Sequence, residues 1–157
     1  MKNNVLSLAK TPWKMKLFFI TKLPMAFLAG LKVINSKEET VSVSVPYKFL
    51  NRNPFQSMYF AVMAMAAELP SGILALAAVR NSNFPVSTLV LDMRASFLKK
   101  ARSKVVFTCK DGKKITEAVS RCIKDDEPKT VDIKSIGVDT DGDIVAEFNF
   151  TWTFKRK

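Results

Sequence analysis

Histidine is absent from the 157-residue chain. That excludes Ser-His-Asp and Cys-His machinery, histidine-ligated zinc and any imidazole general base. Cysteine is scarce: Cys109 and Cys122 stand alone, too few for a zinc site without histidine or for a secreted disulfide framework. Both fall in segments that read as strands flanking Asp111-Gly112, in registers that keep them apart. They are expected as free, reduced thiols, which favours the cytoplasm. No glycine-rich phosphate loop and no Gly-x-Ser-x-Gly elbow occurs. An enzyme built from this chain works with carboxylates, hydroxyls, backbone dipoles or bound water.

Acidic residues are also under-represented, 14 Asp and Glu against 25 Lys and Arg, for a net charge of +11. Such a field attracts phosphates or anionic lipid, or is simply a solvated basic surface. Dense basic runs are confined to Lys99-Lys100-Ala101-Arg102 and Lys155-Arg156-Lys157, without the interleaved aromatics of a nucleic-acid groove, so no nucleic-acid partner is expected. Asp139-Thr-Asp-Gly-Asp143 has the opening spacing of a calcium loop. Its sixth and twelfth places hold Ile144 and Phe150, where that loop needs glycine and glutamate. It reads as an acidic hairpin turn, and no metal is expected.

Unbroken hydrophobic runs are missing too. Leu17 to Ile34 is interrupted by Lys22, Pro24 and Gly30, which argues against a signal peptide. Met58 to Val79 has the length to cross a bilayer but carries Glu68, Pro70 and Gly72 at its centre. It is expected to be a helix buried within its own domain rather than a transmembrane span.

What is present is one domain's worth of core, 48% hydrophobic and 25% charged residues. A chain of this size buries roughly 70% of its unfolded surface without a staple. Thr11-Pro12 starts an amphipathic helix running to about Phe27, expected to pack on the core, with attachment to a membrane surface as the rival reading. Val41, Val43 and Val45 alternate with Ser42 and Ser44 as a half-buried strand. Asn51 to Pro54 is a loop, and Ser57 caps the apolar helix, which Pro70 and Gly72 should kink or end. Strands follow: Val86 to Leu98, then Ser103 to Cys109 paired with Ile115 to Ile123 across Asp111-Gly112, then Val131 to Val138 paired with Ile144 to Phe154 across Asp141-Gly142. A two-residue turn there sets Val131, Ile133, Ser135 and Gly137 opposite Trp152, Phe150, Phe148 and Ala146, with Lys134 opposite Asn149 and Asp132 opposite Thr151. The order predicts an α+β domain, an antiparallel sheet wrapped around one long apolar helix.

Glu68 is the only charge between Arg52 and Arg80. Either the helix turns it toward solvent or an arginine, or it sits in a dry pocket as a base or nucleophile with a raised pKa.

The segment Asn53-Pro-Phe-Gln-Ser-Met-Tyr-Phe-Ala-Val-Met-Ala-Met-Ala-Ala-Glu68 resembles the helix motif of hotdog-fold acyl-CoA thioesterases, such as the phenylacetyl-CoA and 4-hydroxybenzoyl-CoA enzymes. Asn53 stands for the motif's amide residue, Ser57 for its threonine and Glu68 for its catalytic carboxylate. Ser96 to Arg102 is similar to the family's Phe-Leu-Arg-Pro-Ala strand end. The resemblance implies a hotdog domain over residues 31–157 behind an N-terminal helical extension, residues 1–30, and a homodimer or tetramer. Each site would lie between one subunit's helix start and the other's carboxylate. Glu68 would activate water or attack the carbonyl, Asn53 would orient water or substrate, and Ser57, Met58 and the backbone at Tyr59, Phe60 and Ala61 would bind the substrate and its oxyanion. Lys99, Lys100 and Arg102 would meet the phosphates of coenzyme A, which enters only as part of the substrate. Tyr59-Phe60-Ala61 replaces the family's His-Gly-Gly. A protein that holds an acyl chain or another apolar ligand without turnover is the alternative.

Overall fold

The computed structural model describes residues 5–157; the first four residues of the expected extension lie outside them. In chain order the elements are α1 (Val5–Ala9), α2 (Pro12–Lys22), α3 (Pro24–Ala29), β1 (Lys32–Ser36), β2 (Val41–Val45), α4 (Phe60–Asn81), β3 (Val86–Phe97), β4 (Val105–Cys109), α5 (Gly112–Asp125), β5 (Lys129–Val138) and β6 (Ile144–Arg156). The strands form one antiparallel sheet in the order β1-β2-β4-β5-β6-β3. It wraps α4, which packs on β2, β4, β5 and β6 and is closed in further by α1 and α5. Among the described residues α4 is the helix long and apolar enough to cross a membrane. Eleven of its side chains, Met63, Ile73 and Leu74 among them, are buried inside the domain instead.

The β5–β6 register is the one the alternating pattern demands, Val131 opposite Trp152 through Gly137 opposite Ala146. That alignment lays Ile133, Phe148, Phe150, Trp152 and Phe154 on the face toward α4, where all are buried. The turn is longer than two residues: Asp139 to Asp143 form the loop, a bulge follows Gly137, and Gly142 takes the left-handed φ of +89°. Gly137 serves a different need. A Cβ there would stand 2.4 Å from the Phe107 ring, which crosses β5 at that point.

Several expectations are corrected. Pro70 and Gly72 neither end nor break α4, which runs on to Asn81. A proline inside a helix costs about 3 kcal/mol, but each fully buried Leu or Ile returns about 1.5–3 kcal/mol, and Leu69, Ile73 and Leu74 flank it. Ser71 also donates its hydroxyl to the Glu68 carbonyl at 2.8 Å and accepts the Trp152 indole N–H at 3.2 Å. The segment expected as a strand from Ile115 to Ile123 is the helix α5. Ile115, Ala118, Val119 and Cys122 are buried at helical spacing while Lys113, Glu117 and Arg121 face out, and period 3.6 wins over β-branched content. Asp111-Gly112 is therefore no hairpin turn: Asp111 precedes α5, and Gly112 lies so close to Glu38 and Glu39 that a Cβ would come within 2.6 Å of their backbone. Cys122 is helical; both thiols are free, as expected, and both are buried.

The single amphipathic helix to Phe27 is two helices, because the chain leaves helical geometry at Leu23 (ψ 63°) ahead of Pro24. It is also not cleanly amphipathic. Met15 and Phe19 are buried, yet Trp13, Leu17 and Ile20 are exposed. Ser42 and Ser44 are buried along with the valines of β2, because β1 and β4 flank that strand on both edges; Ser42 and Thr108 share a 2.8 Å hydrogen bond between their hydroxyls.

Candidate functional site

Ala61, Met65, Glu68, Gly72, Leu76 and Val79 fall on one face of α4 at helical spacing, and this is the stripe the domain leaves partly open. Glu68 is its one charge. Among the described residues no cation comes within ion-pair distance of the carboxylate and none of its oxygens has a hydrogen-bond partner. Burial alone pushes its pKa above the ordinary carboxylate value. The arginine-paired alternative is not what the structure adopts. The side chain lies along the helix toward Gly72, its Oε1 2.8 Å from where a Cβ on that glycine would stand. A cavity of about 180 Å3 opens beside it, lined by Met65, Leu69, Lys22, Leu23, Pro24 and Met25. The N-terminal extension thus contributes to this cavity, with the end of α2 and the start of α3 forming one wall.

The helix start is built by the loop before it. Asn53 Oδ1 accepts the N–H groups of Phe55 (3.0 Å) and Ser57 (3.2 Å), and its amide donates to Ser57 Oγ at 3.1 Å. Ser57 therefore closes this loop rather than capping α4; Tyr59 occupies the N-cap position with no side-chain cap. The Met58 N–H is taken by the Ala101 carbonyl and the Tyr59 N–H by the Asn51 carbonyl, each at 2.8 Å. The N–H groups of Phe60 and Ala61 donate to nothing among the described residues, as expected for the first turn of a helix. Asn51, which sequence reasoning passed over, clamps this corner: fully buried, it donates to the carbonyls of Ala29 (2.9 Å) and Pro46 (2.7 Å). Its position in Asn-Arg-Asn-Pro reads only as loop, and the clamp depends on segments distant in sequence.

A second cavity, about 380 Å3, gathers Asn53, Ser57, Met58, Phe60, Lys99 and Lys100 with Met63 and Phe97. The expected helix-start residues and two of the three expected phosphate-binding cations thus share one pocket; Arg102 is exposed nearby but does not line it. Lys99 is already engaged. Its ammonium contacts Asp143 Oδ2 at 2.6 Å and Asp139 Oδ2 at 3.0 Å, with Asp141 at 3.9 Å. Those bonds raise the Lys99 pKa and lower that of Asp139. The acidic turn that superficially matched a calcium loop thus closes around a lysine. Lys100 lines the same cavity and makes no ion pair among the described residues.

Glu68 and the open N–H groups cannot act together within one chain. Eight residues of helix separate Phe60 from Glu68, about 12 Å of rise, and the two line different cavities. Among the described residues β3 bonds only to β6, so its other edge is unpaired over twelve residues, with Leu89, Leu91 and Met93 exposed.

Residues 11–154 match the family described as Domain of unknown function (DUF4442). The chain belongs to this family. The architecture of this DUF4442 protein recurs in solved structures. A Pseudomonas aeruginosa protein of unknown function superposes with a TM-score of 0.77 at 19% identity, over 94% of this chain and 97% of that one. A thioesterase from Haemophilus influenzae gives 0.63 at 14%, over 93% and 91%. The PaaI protein of the E. coli phenylacetic acid degradation operon gives 0.63 at 14%, over 98% and 96%. No curated protein is significantly similar in sequence. The DUF4442 chain thus has the hotdog fold, as its helix motif led one to expect.

Proposed function

We propose that the protein hydrolyses an acyl-CoA thioester in a site completed by a second copy of the chain. The observation that carries this reading is Glu68: an unpaired carboxylate, pKa raised by burial, in an otherwise apolar stripe beside a cavity. The fold it shares with a Haemophilus influenzae thioesterase agrees with it. In this reading two copies pair along the free β3 edge, as unpaired edges invite, and one copy's Glu68 faces the other's helix start. Glu68 takes a proton from water while the oxygen attacks the thioester carbonyl. The N–H groups of Phe60 and Ala61 from the partner hold the oxyanion. The C–S bond then breaks, and the thiolate leaves with the proton that Glu68 returns. Asn53 and Ser57 shape the pocket floor, Met58, Met63 and Phe97 offer apolar surface to the acyl group, and Lys100 with Arg102 meets the coenzyme A phosphates. Coenzyme A is part of the substrate, and no resident cofactor takes part. Two buried free thiols suit a reducing compartment.

A binding role without turnover is the second reading. It is favoured by the side chains of Phe60 and Ala61, which crowd a helix start where glycines would let the thioester approach the backbone.

Thiol release from short-chain, long-chain and aromatic acyl-CoAs tests the enzyme reading, run beside Glu68→Gln and Phe60→Pro. Proline at the first helical position keeps the helix and removes one oxyanion donor. Each variant alone should lose about 100-fold or more in kcat. Mixed after co-refolding, they should recover about a quarter of wild-type turnover, because half of random dimers carry one intact site of two. Wild type without turnover, yet thermally stabilised by acyl-CoA, would favour the binding reading instead.

A further inference from the structure

The N-terminal helix α2 carries an exposed apolar stripe that lies outside the Glu68 cavity. On α2, Trp13, Leu17 and Ile20 stand at i, i+4 and i+7 and are 65%, 55% and 47% exposed, on the face opposite buried Met15 and Phe19. Lys14 and Lys16 flank this stripe, their ammonium groups lying 5.5 Å from the Trp13 ring and 5.9 Å from the Phe27 ring. Beyond Lys16 a groove of about 500 Å3 opens between α2, α3 and β1, walled by Trp13, Phe19, Phe27 and Ile34 with Lys16 and Lys32 beside it. Leu28 on α3 is exposed as well, at 52%. Every charged residue before Glu38 is a lysine.

We propose that this surface docks the protein on an anionic lipid bilayer. A tryptophan and two aliphatic side chains on a helix lying in the interface plane, with lysines on both flanks, combine apolar burial with attraction to anionic headgroups. The lysine stems extend along apolar surface and carry their charge to headgroup level. A second copy of the chain fits less well, because this surface is positive throughout and would face its own lysines across a two-fold axis. The proposal is independent of the hydrolytic reading, since none of the stripe residues lines the Glu68 or helix-start cavities.

The test uses the full chain with vesicles of mixed phosphatidylglycerol and phosphatidylcholine, and with pure phosphatidylcholine vesicles. Cosedimentation is read together with tryptophan emission: of the two tryptophans Trp152 is buried and Trp13 exposed, so a blue shift reports Trp13 entering the bilayer. Binding to the anionic vesicles that falls about tenfold or more in Leu17→Glu and in Lys14→Glu/Lys16→Glu, and weakens as salt screens the headgroups, is expected. Both variants alter exposed positions, and an unchanged unfolding midpoint checks their fold. Absence of binding, equal binding to neutral vesicles, or unchanged affinity in both variants would overturn the proposal. So would self-association of wild type that Leu17→Glu abolishes, without vesicle binding, which would assign the face to a second copy.

Discussion

The carboxylate of Glu68 occupies the space that a side chain on Gly72 would need, with Oε1 2.8 Å from the ideal Cβ position. The glycine one turn on is therefore a positioning residue for the only charge on the open face of α4. Gly72→Ala gains up to about 1 kcal/mol of helix propensity, and the flexible carboxylate can swing away, so the unfolding midpoint should hold or rise. Turnover should fall about tenfold or more, since small displacements of a reacting group are costly. An unchanged kcat would separate Glu68 from the chemistry.

Glu68 also sets a pH dependence with a definite sign. Its folded pKa lies above the unfolded value because burial disfavours the charge. The contribution to stability is complete below the unfolded pKa and is lost as pH rises through the folded one. Glu68→Gln should accordingly be more stable than wild type at neutral pH, with the advantage vanishing in acid. Denaturant titrations across that range check it. The kcat of wild type should rise with pH through the same raised pKa.

The free edge of β3 predicts linked loss of assembly and activity. Leu91→Glu places a charge on that edge and should yield monomers in sedimentation. Turnover should fall about 100-fold or more with them, the scale of losing oxyanion donors. Active monomers would refute the two-copy site.

Lys99 and Lys100 are adjacent but should not be equivalent. Lys99 is neutralised by Asp139 and Asp143, so Lys99→Ala should leave KM for acyl-CoA nearly unchanged. It should cost stability instead, and the cost should disappear as pH falls through the lowered Asp139 pKa. Lys100→Ala should raise KM about two- to fivefold, the scale of one exposed ion pair.

Gly137→Ala tests the core. The Phe107 ring is fully buried and has nowhere to go, so overpacking of about 1–3 kcal/mol is expected in chemical denaturation.

The readable features of this chain were those carried by one strong local signal. Alternating residues fixed the β5–β6 register, because a slip of one residue would turn Phe148, Phe150 and Trp152 away from the core. The hotdog motif over residues 53–68 announced the fold from one segment. The failures came where two signals competed. Asp111-Gly112 has the composition of a hairpin turn, but its glycine answers a close approach to Glu38 and Glu39 that no local pattern announces. Pro70 is a helix breaker by its own chemistry, and α4 persists because its neighbours are buried on several sides.

Composition and short-range pattern already close histidine chemistry to this protein, give it a net positive charge, and put a single carboxylate in one apolar helix. Those properties belong to composition and to short-range periodicity. Which groups meet is a matter of the fold: Lys99 is engaged by the acidic turn at Asp139 and Asp143 while Lys100 is not, α2 and α3 wall the Glu68 cavity, and Phe60 at the helix start lines a different cavity from Glu68. Contacts between segments forty or more residues apart depend on how the sheet curls around α4, and that curl is set by packing of the whole core rather than by any stretch of sequence.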